Sequence, residues 1–169
     1  MMPLHLLVIA IGTLMQPAQP TTTTPPPATP APAADREKAV AAVLDQLHEL
    51  ASKADGAKYF ALFAPDGIFL GTDATERWTV EQFKAYAKPF FDKGQGWTYR
   101  PTQRHIHFSA SGELAWFDEL LANDKIGECR GSGVLTKNAQ GAWKIAQYNL
   151  TKVVPNEKMD DVVKVIGEK

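Results

Sequence analysis

Residues 113–152 read ELAWFDELLANDKIGECRGSGVLTKNAQGAWKIAQYNLTK. Three runs rich in aromatic and β-branched residues stand out: Glu113–Leu121, Glu128–Lys137 and Ala142–Lys152. Asn123-Asp124 and Asn138-Ala139-Gln140-Gly141 separate them, residues that tolerate tight turns and bond their own backbone. Strands joined by such short turns must run antiparallel. Outward to the N-terminal side, Gln103–Ser109 and Trp97–Arg100 read as two more strand runs, with Ser111-Gly112 as a turn. The second half of the chain is therefore an antiparallel meander.

The first half has the other period. Val40, Val43, Leu44, Leu47, Leu50 and Ala51 repeat at helical spacing behind Asp35, which is placed to cap the helix. Asp55-Gly56 ends that helix, and Ala57–Ala64 forms a short second one. Pro65-Asp66-Gly67 reads as a turn into a buried strand, Ile68–Thr72. Thr79-Val80-Glu81-Gln82 has the form of a capping box and opens a third helix that ends before Pro89. Asn156 is placed to cap a last helix bearing Met159, Val162, Val163 and Ile166. Helices gathered on one face of a curved antiparallel sheet make an α+β domain. A cone of this kind opens at its mouth as a natural small-molecule pocket.

Composition limits the function. All 18 basic and 19 acidic residues lie at or after Asp35, and the net charge is −1. That balance gives no electrostatic case for nucleic acid or an anionic membrane. Residues 1–15 contain the apolar run Leu4–Met15, too short to span a bilayer but of the length of a signal-peptide core. Residues 16–34 are rich in Pro, Thr and Ala, a composition that cannot bury a core and favours an extended spacer. The expectation is an exported protein, periplasmic or secreted, with its domain at 35–169. The lone Cys129, in a strand run, reads as a buried inert thiol.

Four blocks carry a resemblance: Phe69–Trp78 (FLGTDATERW), Ala115–Glu119 (AWFDE), Arg130–Leu135 (RGSGVL) and Trp143–Thr151 (WKIAQYNLT), followed by Val154–Glu157. In this order they resemble SnoaL-like domains of the nuclear-transport-factor-2-like superfamily, over about residues 36–158. The resemblance implies a cone-shaped, curved mixed sheet with helices packed on one face, often dimeric through that sheet. Its members include isomerases, dehydratases, polyketide cyclases and binding modules. At the position of Asn149 similar domains often carry His. An Asn cannot act as a general base near neutral pH, which favours binding over catalysis.

The candidate pocket residues are Asp73, Glu76, Trp78, Trp116, Asp118, Glu119, Arg130, Gln147 and Asn149. Strict alternation puts Trp143, Ile145, Gln147, Asn149 and Thr151 on one face, a strand that leaves a packed floor and enters a pocket. Asp118 and Glu119 point to opposite faces. Whichever faces inward is expected to have a raised pKa, the property a proton-transfer enzyme needs. Arg130 is either its ion-pair partner or a clamp for an anionic ligand. Asp73, Glu76 and Trp78 sit on a loop, pinning it or lining the pocket mouth. His105-Ile106-His107 has metal-ligating spacing but no third ligand, so no metal is expected. There is no Gly-rich phosphate loop and no nucleophile elbow, so no cofactor is expected either.

Overall fold

The computed structural model describes residues 32–167. The expected signal segment and nearly all of the Pro-rich spacer lie outside the described residues. Helix α1, Ala33–Ser52, begins two residues before Asp35. Pro32 occupies the capping position, and Asp35 lies in the first turn, where its charge complements the helix dipole. The apolar stripe buries Val40, Leu44, Leu47 and Ala51, and a histidine, His48, is buried in the same stripe. Helix α2, Gly56–Ala61, is capped by Asp55, which accepts the Lys58 backbone N–H.

Strand β1 is longer than expected, Phe63–Leu70, and Pro65-Asp66-Gly67 lies inside it. Those residues form an irregularity in the parallel pairing of β1 with the last strand, β6, rather than a separate turn. The loop after β1 returns as a short strand, β2, Arg77–Thr79, so Trp78 is a strand residue. Helix α3, Val80–Phe91, opens with the expected capping box between Thr79 and Gln82. It runs through Pro89 instead of stopping before it. The carbonyl that Pro89 leaves without its helical partner is that of Ala85, an exposed residue.

The meander comprises β3 (Arg100–Phe108), β4 (Leu114–Ala122), β5 (Cys129–Lys137) and β6 (Trp143–Lys152), each antiparallel to its neighbour. Residues 97–99, expected in a strand, form irregular backbone. The sheet order is β2-β1-β6-β5-β4-β3. The sheet is curved and mixed, with the helices on its inner face, and it does not close into a barrel. Helix α4, Met159–Ile166, follows one 3-10 turn at Asn156–Lys158 and buries none of its residues. Among the described residues no helix is long and apolar enough to cross a membrane.

The inner face is filled by aromatic rings from all the layers. Tyr59, Phe63, Phe69, Phe83, Phe91 and Tyr148 are buried together, with Phe60, Trp78 and Trp97 packed against them. Each fully buried large side chain of this kind contributes about 1.5–3 kcal/mol. The cone is thus mostly a core, with an open cleft at its mouth.

Candidate functional site

Strand register decides which side chains meet. One row crosses the whole sheet on its inner face: Trp78, Phe69, Tyr148, Gly133, Phe117 and Ile106. The neighbouring inner row is Leu150, Gly131, Glu119 and Arg104. Glu119 is therefore the inward member of the Asp118-Glu119 pair, fully buried at 0% exposure.

Glu119 is surrounded by donors. His48 from α1 bonds Oε1 through Nε2 at 2.7 Å, and the Tyr148 hydroxyl donates to the same oxygen at 3.3 Å. Arg104 donates through Nε to Oε2 at 2.8 Å. A carboxylate only accepts, so His48 must carry its proton on Nε2. Arg104 extends the network to Asp45 at 2.8 Å and to the Ala41 carbonyl, tying α1 to the far edge of the sheet. Gly131 lies where this network is tightest. A Cβ there would come within 2.4 Å of the Tyr148 hydroxyl and 3.0 Å of Glu119 Oε1.

The expectation of a raised carboxylate pKa is overturned. Burial pushes Glu119 up, but the His48 bond and the Arg104 charge outweigh it and hold the carboxyl below its ordinary value. The expected partner also changes. Arg104 takes the role assigned to Arg130, whose side chain lies on the exposed outer face opposite Leu120 and Thr151. Tyr148, buried beside an ionised carboxylate, has its pKa pushed well up and stays neutral.

The phase of β6 also differs from strict alternation. Trp143 and Ile145 face inward, as do Tyr148 and Leu150, because a bulge interrupts the pairing between Val134 and Leu135. Two residues of β6 there oppose one of β5, and every later side chain changes face. Gln147 and Asn149 consequently join the outer rows with Trp116, Asp118, Arg130 and Ser132. His105 and His107 lie on the same exposed surface, where Trp116 stacks on His107 at 5.8 Å. Asp73 sits exposed in the β1–β2 loop, its carboxylate taken up by the backbone and hydroxyl of Thr75. No group of side chains among the described residues is arranged to hold a metal ion.

The open space lies at the mouth. A cleft of about 180 Å³ is lined by Phe69, Trp78, Phe83, Tyr86, Trp97 and Tyr99, with Leu150, Gly71, Thr72 and Glu76 completing the wall. Phe69 and Phe83 stack at 3.8 Å and Trp78 and Tyr86 at 4.5 Å, with interplanar angles of 19° and 29°. Glu76 folds back over Gly71 and accepts the Asp73 N–H through Oε2 at 3.2 Å. A Cβ on residue 71 would fall 2.0 Å from that same oxygen, so only glycine permits this fold. Burial, together with the neighbouring Cys129 and Glu76, pushes Tyr99 up to about 12, so it stays neutral.

Behind the cleft, past Phe69, Trp97, Tyr99 and Leu150, a recess of about 20 Å³ reaches His48 and Tyr148. It has room for about one water. His48, Arg104, Tyr86 and Tyr99 were not among the residues singled out from the sequence. His48 alone carried a signal, a polar residue in register with the apolar stripe of α1. Tyr86 depends on how α3 packs against β2, and Arg104 and Tyr99 on strand register and the irregular segment 97–99.

Comparison with known proteins agrees with this architecture. A family model described as a SnoaL-like domain matches residues 40–155. A nuclear-transport-factor-2-like protein of unknown function from Pseudomonas putida superimposes with a TM-score of 0.61 at 12% identity, covering 75% of this chain and 92% of that one. A cystatin-like domain of unknown function from Nostoc punctiforme gives 0.63 at 17% identity, covering 82% and 90%. A Novosphingobium aromaticivorans protein provisionally named a scytalone dehydratase gives 0.59 at 13% identity, covering 72% and 89%. At these identities the likeness is one of fold. No curated protein matches the sequence.

Proposed function

The chain belongs to the SnoaL-like domain family, and we propose that it serves there as a binding module for a small, flat, largely apolar molecule held in the mouth cleft. The observation that carries this reading is the contrast between the cleft and the buried carboxylate. The cleft is open and walled by aromatic rings, whereas Glu119 is saturated by three side chains and kept ionised. A carboxylate so occupied is a poor general base, and His48 beside it is bonded to the same carboxylate through Nε2. Volume sets the ligand size. An apolar cavity of about 150 Å³ admits benzene, so this cleft takes one ring with a short substituent.

The test is titration of the protein with indole, followed by isothermal calorimetry. A saturable heat is expected, since Trp78 and Trp97 line the cleft. Thr72→Trp places a bulky group at the exposed rim without touching the core and should abolish that heat. Indole bound equally well by this variant would refute the assignment of the cleft.

A second reading, favoured by the recess that His48 and Tyr148 line behind the shared wall of Phe69, Trp97, Tyr99 and Leu150, is a cofactor-independent isomerase, dehydratase or cyclase. In it His48, oriented by Glu119, moves the proton through its other ring nitrogen. That reading requires the rings of Phe69, Trp97 and Tyr99 to part, because the recess holds about one water. The setting we infer is periplasmic or secreted, from the apolar lead and the Pro-rich spacer. N-terminal sequencing of the mature protein checks it. We also assign the exposed outer sheet face, with Trp116 at its centre, to pairing with a second copy.

A further inference from the structure

The cleft has an unbalanced charge. Among its lining residues Glu76 is the one carboxylate, and no Lys, Arg or His joins it. Tyr99, which stands at the same wall, stays neutral because its pKa is pushed up. Several carboxylates elsewhere have cationic partners, among them Glu49 with Lys53, Asp55 with Lys58, Asp92 with Lys88, Asp124 with Arg100 and Glu113 with Lys137. Glu76 is partly buried, is fixed by the Asp73 N–H through one oxygen, and has no ion-pair partner within the described residues. The geometry of that bond and the absent side chain at Gly71 hold the carboxylate at the rim rather than letting it swing into solvent.

The remaining walls strengthen the same preference. Aromatic faces carry negative potential and attract a cation placed near them, Trp most strongly. Trp78, Tyr86, Trp97 and Tyr99 surround the space, and the Tyr86 and Tyr99 hydroxyls and the Thr72 hydroxyl offer oxygens that accept N–H donors. An anionic ligand would meet Glu76 with no counter-charge and would lose its hydration on entry. A neutral ligand would leave the carboxylate unpaired.

Resting on the reading of the cleft as a small-molecule site, we propose that its ligand is an organic cation: a primary to quaternary amine carried on an apolar body of about one ring. The ring lies among Phe69, Trp78 and Phe83, and the ammonium group sits between Glu76 and the faces of Trp78 and Tyr86.

Calorimetric titration of the full chain with three probes of one skeleton tests this: 2-phenylethylammonium, 2-phenylethanol and phenylacetate. The ammonium is expected to bind at least about tenfold more tightly than the alcohol, a difference of about 1.4 kcal/mol, and phenylacetate weakest of the three. Glu76→Gln, which keeps an oxygen for the Asp73 N–H, should bring the ammonium down to the alcohol's affinity and leave the alcohol unchanged. Equal binding of ammonium and alcohol by the native chain overturns the cation assignment while the cleft reading stands. Binding of none of the three overturns both. The ranking by the native chain needs no variant, so a Glu76→Gln protein that failed to fold would leave the test decisive.

Discussion

Two carboxylates, Glu119 and Glu76, lie about the same cone and differ in nearly everything else. Glu119 is fully buried and answered by His48, Arg104 and Tyr148. Glu76 is partly buried, holds one backbone N–H and faces the cleft. A charge deep in a fold must be matched by partners, and the matching consumes its chemistry. A charge at a rim is still solvated enough to stand alone, so it remains free to meet a ligand. The inner carboxylate therefore holds the structure together, and the outer one gives the cleft its preference.

Removing the matched charge should have the largest effect. Glu119→Ala strands the Arg104 guanidinium and His48 in the core, and about 3–5 kcal/mol of stability should be lost in urea unfolding. A loss below about 1 kcal/mol would mean the network contributes little and the contrast with Glu76 is false. Gly131→Ala forces a methyl group against the Tyr148 hydroxyl and Glu119, and overpacking of this kind costs about 1–3 kcal/mol. The same urea midpoint reads it.

Acid should act on the same carboxylate. Because the folded state lowers the Glu119 pKa from its ordinary 4.5, its contribution is fully present above that value. It is lost as the pH falls through the lower folded value. Stability measured from pH 7 downward should hold until about 4.5 and then decline more steeply than in Glu119→Gln, which has no carboxyl to protonate. Parallel curves would show that Glu119 is not held ionised.

Smaller effects belong to the surface. Thr79→Ala removes one half of the capping box of α3 and should cost about 1 kcal/mol. Glu76→Gln should move the unfolding midpoint least, by under about 0.5 kcal/mol, while changing ligand preference. If it destabilised the chain as much as Glu119→Ala, the rim carboxylate would be structural too. Trp116→Arg on the outer face should likewise leave stability nearly unchanged while converting a paired species to a monomer in light scattering.

Much of the architecture was legible because it rests on local periodicity. The stripe of α1, the capping box of α3 and the turns of the meander each declare themselves within a few residues. Glu119 and Asp118 could be assigned to opposite faces for the same reason. Glu76 and Trp78 were candidates from their place after the first strand, and both line the cleft. The failures have one physical origin. Gln147 and Asn149 were placed inward by a period of two, and one bulge in β6 reversed it. Arg130 was named and Arg104 was not, because both strands lie beside β4 and only the register puts Arg104 opposite Glu119 and Arg130 opposite Leu120.

The helical first half, the antiparallel meander of the second, the α+β class and the family resemblance were determined by the sequence alone, because each depends on short-range patterns of apolar, polar and turn-forming residues. The filling of the cone by aromatic rings, the pairing of Glu119 with a helix residue 71 positions away and the isolation of Glu76 at an open cleft were decided only in three dimensions. They depend on strand register and on a bulge, and those are settled by how distant segments pack against one another.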